Sequence, residues 1–254
     1  MLLAIDVGNS NIKTGLFRGK ELIASWRITT RQDRSSDETG LQMVQFLQFI
    51  GFKPSDVEAV IVSSVSPGMN YTIERMINTY FQITPLFVSS SLNMELTIAY
   101  KPATSLGADR IANAVGAYTL YGGPVITVDF GTATTFGAIS ADGTFMGGPI
   151  APGIRSATDA LVNNAAQLHR FDFVTPKKAV ANTTIEAMQA GVMYGFSGLA
   201  DHIIERMKSE IGPEAKVIAT GGMSDVIAGD SRYIDVVDKL LTLKGLQILY
   251  SQNS

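Results

Sequence analysis

Two carboxylates of this chain stand in the same local setting. Asp6 ends the short apolar run Leu2 to Ile5, and Gly8, Asn9, Ser10 and Asn11 follow before a second alternating run reaches Gly15. Asp129 ends the run Val125 to Val128, and Gly131, Thr132, Thr134 and Thr135 follow. Each pattern reads as strand, tight turn, strand, with an acid at the mouth of the hairpin. The first turn also offers what phosphate oxygens need: a glycine that lets backbone N–H groups approach, small polar side chains, and the cation Lys13. Taken alone, it is equally an ordinary Asn-rich hairpin, because such turns favour these residues. Repetition decides between the two, since Asp129 and Gly131 match Asp6 and Gly8 close to half the chain length away. A further turn and run follow each copy, Arg18-Gly19-Lys20 before Glu21 to Ile28 and Ala141-Asp142-Gly143 before Thr144 to Met146. A duplicated unit of this kind makes sense if two facing loops grip one ligand between the halves.

The elements that must position these loops follow from periodicity and breakers. Ser35-Ser36-Asp37-Glu38 fits a capping box, opening a helix over about 37–50 with Leu41, Val44 and Leu47 on one side. Val57 to Val65 reads as a buried strand, and Ser66-Pro67-Gly68 turns the chain into a helix over about 69–80. Phe87-Val88 fits a short strand, and Asn93 to Thr104 looks irregular. Gly107-Ala108-Asp109-Arg110 opens a helix that stops at Gly122-Gly123 and connects the halves. In the second half a breaker-rich loop, Gly147 to Gly153, precedes a helix over about 154–161. Thr183 to Glu186 then opens the longest helical pattern, which lasts to Ile211. Glycine costs roughly 1 kcal/mol against alanine inside a helix, so Gly191, Gly195 and Gly198 imply close packing, either within the monomer or at a subunit interface. Val217 to Ala219 reads as a strand running into Thr220-Gly221-Gly222, and an apolar-rich segment covers Leu240 to Tyr250. The expected domains are 1–115 and 116–254.

Composition narrows the function classes. With 254 residues, 46% hydrophobic and 17% charged, the chain is globular, and its net charge of -3 gives no reason to expect a nucleic acid or an acidic membrane as partner. No apolar run approaches a spanning helix and no signal sequence opens the chain, so a cytoplasmic location is the default. Without cysteine there is no disulfide framework, thiol nucleophile or Cys-ligated zinc. The two histidines, His169 and His202, are too few for a metal cluster and read as structural or surface residues. Neither GxxxxGK[ST] nor a GxGxxG after a strand is present, so a bound nucleotide would be held differently. The remaining candidate is a phosphate clamp of two acidic hairpins, with Gly221-Gly222 as bare backbone for a base and ribose.

Six motifs in order, DVGNSNIKTG from Asp6, GADR at 107–110, DFGTATT at 129–135, GGPIAPGI at 147–154, NTTIEAMQAG at 182–191 and ATGGMS at 219–224, resemble type III pantothenate kinase. The resemblance runs from residue 1 to about 250. It implies the acetate kinase, sugar kinase, Hsp70 and actin superfamily: an α/β fold of two duplicated ribonuclease-H-like domains, each with a mixed five-stranded sheet, and a cleft between them. It also implies a homodimer with the substrate pocket near the subunit interface. The reaction would be ATP-dependent phosphorylation of pantothenate to 4'-phosphopantothenate, the first step of coenzyme A synthesis.

Carried over residue by residue, the resemblance puts ATP on Asp6, Val7, Gly8, Asn9, Ser10, Asn11, Ile12, Lys13 and Thr132. Asp6 would hold Mg²⁺ directly or through water. Asp109 would be the general base that accepts the alcohol proton, its plain alternative being a helix-start carboxylate favoured by the dipole. Tyr100, Gly107, Ala108, Asp109, Arg110 and Thr184 match pantothenate-contacting positions, although an arginine such as Arg110 more often ends in a surface salt bridge. Asp129 matches the ligand of a monovalent cation, potassium or ammonium; a second Mg²⁺ carboxylate is the alternative. Departures are small: Ser10 stands where many members have threonine, and Met223 follows the Gly-Gly pair. Two other classes stay open, a nucleotide-binding regulator of the Bvg accessory factor type and a kinase of this fold with another acceptor. Asp109 beside both acidic hairpins favours the enzyme, because a switch needs no base.

Overall fold

A strand that is apolar on both faces needs a covering layer on each. β1 (Leu2–Val7) is such a strand, buried along its whole length. In this computed structural model, which describes residues 1–165 and 167–254, the chain forms two compact units. Met1–Glu95, Lys101–Gly116 and Leu241–Ser254 make the first; Leu96–Tyr100 and Ala117–Leu240 make the second.

In the first unit, β1 pairs antiparallel with β2 (Asn11–Arg18), and β2 with β3 (Glu21–Thr29). α1 (Ser36–Phe49) starts on the expected capping box: the Glu38 N–H donates to Ser35 Oγ, and the Ser35 N–H donates to Glu38 Oε2. β4 (Ala59–Ser64) lies parallel to β1 on its other side, then come α2 (Pro67–Phe81) and β5 (Leu86–Phe87), giving the order β3-β2-β1-β4-β5. Leu3, Ile5 and Val7 face Met43 and Leu47 of α1 and Ile73 and Ile77 of α2. Alternation turns Ala4 and Asp6 to the opposite face.

That opposite face is covered by the last helix, α7 (Leu241–Asn253), which packs on β1, β2 and β4. Asn113 and Thr242 join α7 to α3 (Ala108–Tyr121), with Thr242 Oγ1 donating to Asn113 Oδ1 at 2.8 Å. The terminal apolar segment, expected in the second domain, thus completes the first. The physical reason is that α1 and α2 cover only one side of a sheet that is apolar on two. The division expected near residue 115 falls inside α3, between Gly116 and Ala117.

The second unit repeats the plan. β7 (Val125–Phe130), β8 (Ala133–Ile139) and β9 (Thr144–Gly147) are antiparallel, and β11 (Lys216–Gly221) and β12 (Val236–Val237) continue parallel to β7. The order β9-β8-β7-β11-β12 matches β3-β2-β1-β4-β5 strand for strand. Two additions make this sheet seven-stranded: β6 (Thr97–Ile98) on β9, within a stretch expected to be irregular, and β10 (Ile150–Pro152) on β8. α4 (Ile154–Asn164), α5 (Thr184–Ile211) and α6 (Ser224–Ala228) follow the sheet or its loops. Ile126, Val128 and Phe130 pack against Val192, Met193 and Ile204 of α5 and Ile227 of α6. No described helix is long and apolar enough to cross a membrane.

Candidate active site

The first hairpin holds its acid beside its cation. Asp6 and Lys13 face each other in the β1–β2 register, with Nζ 3.6 Å from Oδ2, and Asp6 is only 6% exposed. The tip is tied down from within. The Gly8 N–H donates to Asn11 O, the Thr30 N–H to Ser10 O, and Thr30 Oγ1 to Gly8 O at 2.7 Å. The carbonyls of Gly8, Ser10 and Asn11 thus each accept a hydrogen bond that holds the turn in shape. Asn9, Ser10 and Asn11 are exposed, while Val7 and Ile12 are buried in the core and can offer a ligand only backbone.

α3 begins at the same edge of the sheet. Val65, just past β4, donates its N–H to Val7 O, and a Cβ added at Gly107 would lie 3.6 Å from Val65. The Asp109 carboxylate folds onto the first turn of α3, where Oδ1 accepts the Arg110 N–H at 2.7 Å. There it lies at the positive end of the helix dipole. A Cβ at Gly107 would sit 2.6 Å from Asp109 Oδ1, so a larger residue there would push the carboxylate out of this position. Asp109 is half-buried and Arg110 is buried, so the surface salt bridge common for arginine is not its environment. The first unit thus brings Asp6 to Lys13 and Gly107 to Arg110 to the carboxyl ends of β1 and β4, the end of an α/β sheet where ligands bind.

The second hairpin is built alike and charged differently. Asp129 pairs in register with Thr135 on β8 and Thr220 on β11, where the first hairpin has Lys13 and Ser63 around Asp6. Its turn closes with Gly131 N–H to Ala133 O. Thr132 is exposed at the tip, and its carbonyl accepts from Ser156 Oγ at 2.9 Å, fastening the loop to the first turn of α4. Gly221 has φ +93, and a Cβ there would lie 2.5 Å from Asp129 Oδ1, so the Gly-Gly turn seats directly on the carboxylate. Thr220 Oγ1 and Ser63 Oγ are both buried without a hydrogen-bond partner. Sequence reasoning missed both hydroxyls; their signal was their place at the ends of β11 and β4, one strand over from each acid.

The remaining predicted contacts lie apart from these loops in the chain. Tyr100 follows β6 at the edge of the second sheet, and Thr184 is the exposed first residue of α5. Thr184 shares a groove of about 500 Å³ with Leu161, Gly191, Gly195, Phe196 and Leu199. Among the described residues, a Cβ at Gly191, Gly195 or Gly198 would meet nothing within 4 Å, so no described part of the chain packs closely on these glycines. His169 and His202 are exposed, as expected.

One strand order built twice, each copy with a carboxylate at the mouth of its central hairpin, defines the duplicated ribonuclease-H-like fold shared by actin-like and sugar-kinase structures. Solved structures with this fold include a conserved Baf family protein from Campylobacter jejuni, at TM-score 0.63 and 22% identity over 99% of this chain and 98% of that one. The activator of 2-hydroxyisocaproyl-CoA dehydratase from Clostridium difficile, solved with bound ADPNP, matches at TM-score 0.55 and 12% identity over 99% and 94%. The inorganic polyphosphate/ATP-glucomannokinase from an Arthrobacter strain matches at TM-score 0.51 and 14% identity over 99% and 97%. Residues 2–206 match the model of the type III pantothenate kinase family. A type III pantothenate kinase of Myxococcus xanthus is 44% identical over 253 residues, covering 100% of this chain and 99% of that protein. The chain belongs to the type III pantothenate kinase family.

Proposed function

We infer that this protein transfers the γ-phosphoryl group of ATP to the primary hydroxyl of pantothenate, opening coenzyme A synthesis. Family membership along the chain carries the inference, and the paired acidic hairpins supply parts suited to it. In this reading the residues from Asp6 to Lys13 and Thr132 bind the ATP phosphates, with Lys13 adding positive potential. Asp109 accepts the hydroxyl proton as the oxygen attacks, and its fixed seat on the first turn of α3 suits a base that must not swing away. Tyr100, Gly107, Ala108, Arg110 and Thr184 bind pantothenate; Arg110, as a buried guanidinium, suits an anionic acceptor.

The chain fits the ions that such a reaction uses. Among the described residues no group of three or more His, Asp or Glu side chains could hold a metal. A single carboxylate, Asp6, is what an ion brought in on nucleotide phosphates requires, since Mg²⁺ is commonly held by one or two carboxylates plus phosphate oxygens. Bound there, Mg²⁺ neutralises charge on the triphosphate. Asp129, with hydroxyl residues on both sides in register, presents the hard oxygen donors that suit potassium or ammonium. The open glycine face of α5 suits a second copy of the chain, and we place the homodimer contact on that groove. We assign the protein to the cytoplasm.

The test is ATP consumption with pantothenate and, in parallel, with glucose and acetate, each in potassium and in sodium. Turnover with pantothenate alone, faster in potassium, is expected; turnover with another acceptor reassigns the substrate, and none with any acceptor overturns the kinase inference. Asp109→Asn should keep the fold and nucleotide binding while turnover falls by roughly 10²–10⁴-fold, the usual contribution of a positioned base. Sedimentation of Gly195→Leu against the parent checks the dimer: the variant should be monomeric, and an unchanged dimer refutes the α5 contact.

A further inference from the structure

We propose that Phe145 and Gly147 on β9 are positioning residues that set the ring of Tyr100 for acceptor binding. The inference rests on the assignment of Tyr100 to pantothenate made above. Leu96–Tyr100 lies in sequence between two stretches of the first unit, yet it belongs to the second. What fixes it there is the short pairing of β6 with β9, Thr97 against Thr144 and Ile98 against Phe145. Backbone hydrogen bonds of 3.0 Å extend the pairing at both ends, from the Thr97 N–H to Gly143 O and from the Ala99 N–H to Phe145 O. Tyr100 comes one residue later, so its backbone is held while its ring must be oriented by neighbours.

β9 supplies two of them. The Phe145 ring, 1% exposed and locked in the interior, meets the Tyr100 ring at 6.4 Å between centroids and 58° between planes. That is the tilted geometry in which a ring edge meets a ring face, a directional contact that an aliphatic side chain does not reproduce. Gly147 adds a steric limit: a Cβ there would stand 3.3 Å from Tyr100 Cδ2 and 3.7 Å from Cε2. Its φ of +117 also belongs to glycine rather than to other residues. Together the buried ring and the bare backbone define one seat for a half-buried tyrosine. Neither residue need touch the acceptor; both act through Tyr100.

Such a role predicts an effect on one substrate only. Phe145→Leu keeps an apolar side chain in the interior and removes the ring. It should raise KM for pantothenate about 2- to 10-fold, the factor carried by an aromatic pair of this geometry, with KM for ATP and kcat close to the parent. Gly147→Ala, as an independent probe, should move KM for pantothenate in the same direction. In a Tyr100→Ala background neither change should add anything further. If either substitution raises KM by the same factor with and without Tyr100, the positioning role is overturned. In Phe145→Leu, a fall in kcat and a rise in both KM values, accompanied by a lower Tm, also overturns it, because that is the signature of general loss of packing. Gly147→Ala is read from KM for pantothenate alone, since its φ of +117 lowers Tm in either background. If Tyr100→Ala leaves KM for pantothenate unchanged, the assignment of Tyr100 to the acceptor fails instead.

Discussion

The two hairpins share a backbone plan and differ in charge. Around Asp6 the neighbouring strands supply Lys13 and Ser63; around Asp129 the same register positions supply Thr135 and Thr220. The first acid has an ammonium at 3.6 Å, whereas at the second the corresponding position is a hydroxyl. One scaffold thus carries, at the same register position on the strand paired with the acid, an ammonium in one copy and a hydroxyl in the other. The units also differ in how they are closed. The first borrows α7 from beyond the second, while the second uses its own residues, with Tyr121 Oη donating to Asp238 Oδ2 at 2.8 Å.

The comparison is broken most severely by removing each acid in turn. Asp6→Asn should lower kcat/KM for ATP by roughly 10²–10³-fold, as for loss of one preorganised electrostatic group, with little change in potassium dependence. Asp129→Asn should cost only roughly two- to fivefold, the scale of one partly solvated ion contact, and should erase the preference for potassium over sodium. Steady-state rates in the two salts check both, and matching losses of potassium response would mean that the hairpins are not specialised. Thr135→Lys sharpens the same point with a smaller effect: it copies the Lys13 arrangement into the second hairpin, so rates in potassium and sodium should converge. A variant still dependent on potassium would refute the electrostatic contrast.

The smallest effect concerns closure of the second unit. Burial, and then the Asp238 carboxylate beside it, push the Tyr121 phenol up to about 12. Because the folded value lies above the unfolded one, this stabilisation is complete below the ordinary phenol value of about 10 and is lost as pH rises through about 12. Tyr121→Phe should cost about 1–2 kcal/mol at neutral pH, through the lost hydrogen bond to a charged acceptor. The gap between parent and variant, read from urea unfolding at successive pH values, should close between those two limits. A gap that stays constant through that range would exclude this proton linkage.

What the sequence made legible was what is local. Asp6 and Asp129 announce themselves because run, acid and glycine lie within seven residues of each other, and Ser35 with Glu38 identifies the start of α1 from a four-residue box. The helix opened by Asp109 was equally clear. Long-range partners were not legible. Two residues of β6 carry no pattern of their own and become a strand only against β9. The partner of the α7 segment was hidden because an apolar helix gives no address; only the double-sided burial of Leu2–Val7 hints that a cover is missing. Gly191, Gly195 and Gly198 suggested close packing, yet no part of the described chain comes within 4 Å of where their Cβ atoms would stand, and a local glycine spacing does not say what would. Burial of Arg110 was likewise invisible, since exposure depends on what packs over the start of α3.

The chain path through α7 has a consequence for biosynthesis. A ribosome delivers the strands of the first sheet early, yet the side of that sheet carrying Ala4 and Gly15 stays uncovered until residues beyond Leu240 emerge. The second unit, nearly continuous from Ala117 to Leu240, is fully synthesised before then. The later-encoded half therefore has its whole chain available before the earlier one does, the reverse of the usual amino-terminal-first order. Stalled or clipped products lacking the final turns would expose a greasy sheet at their amino-terminal end, making them natural clients for chaperones and proteases.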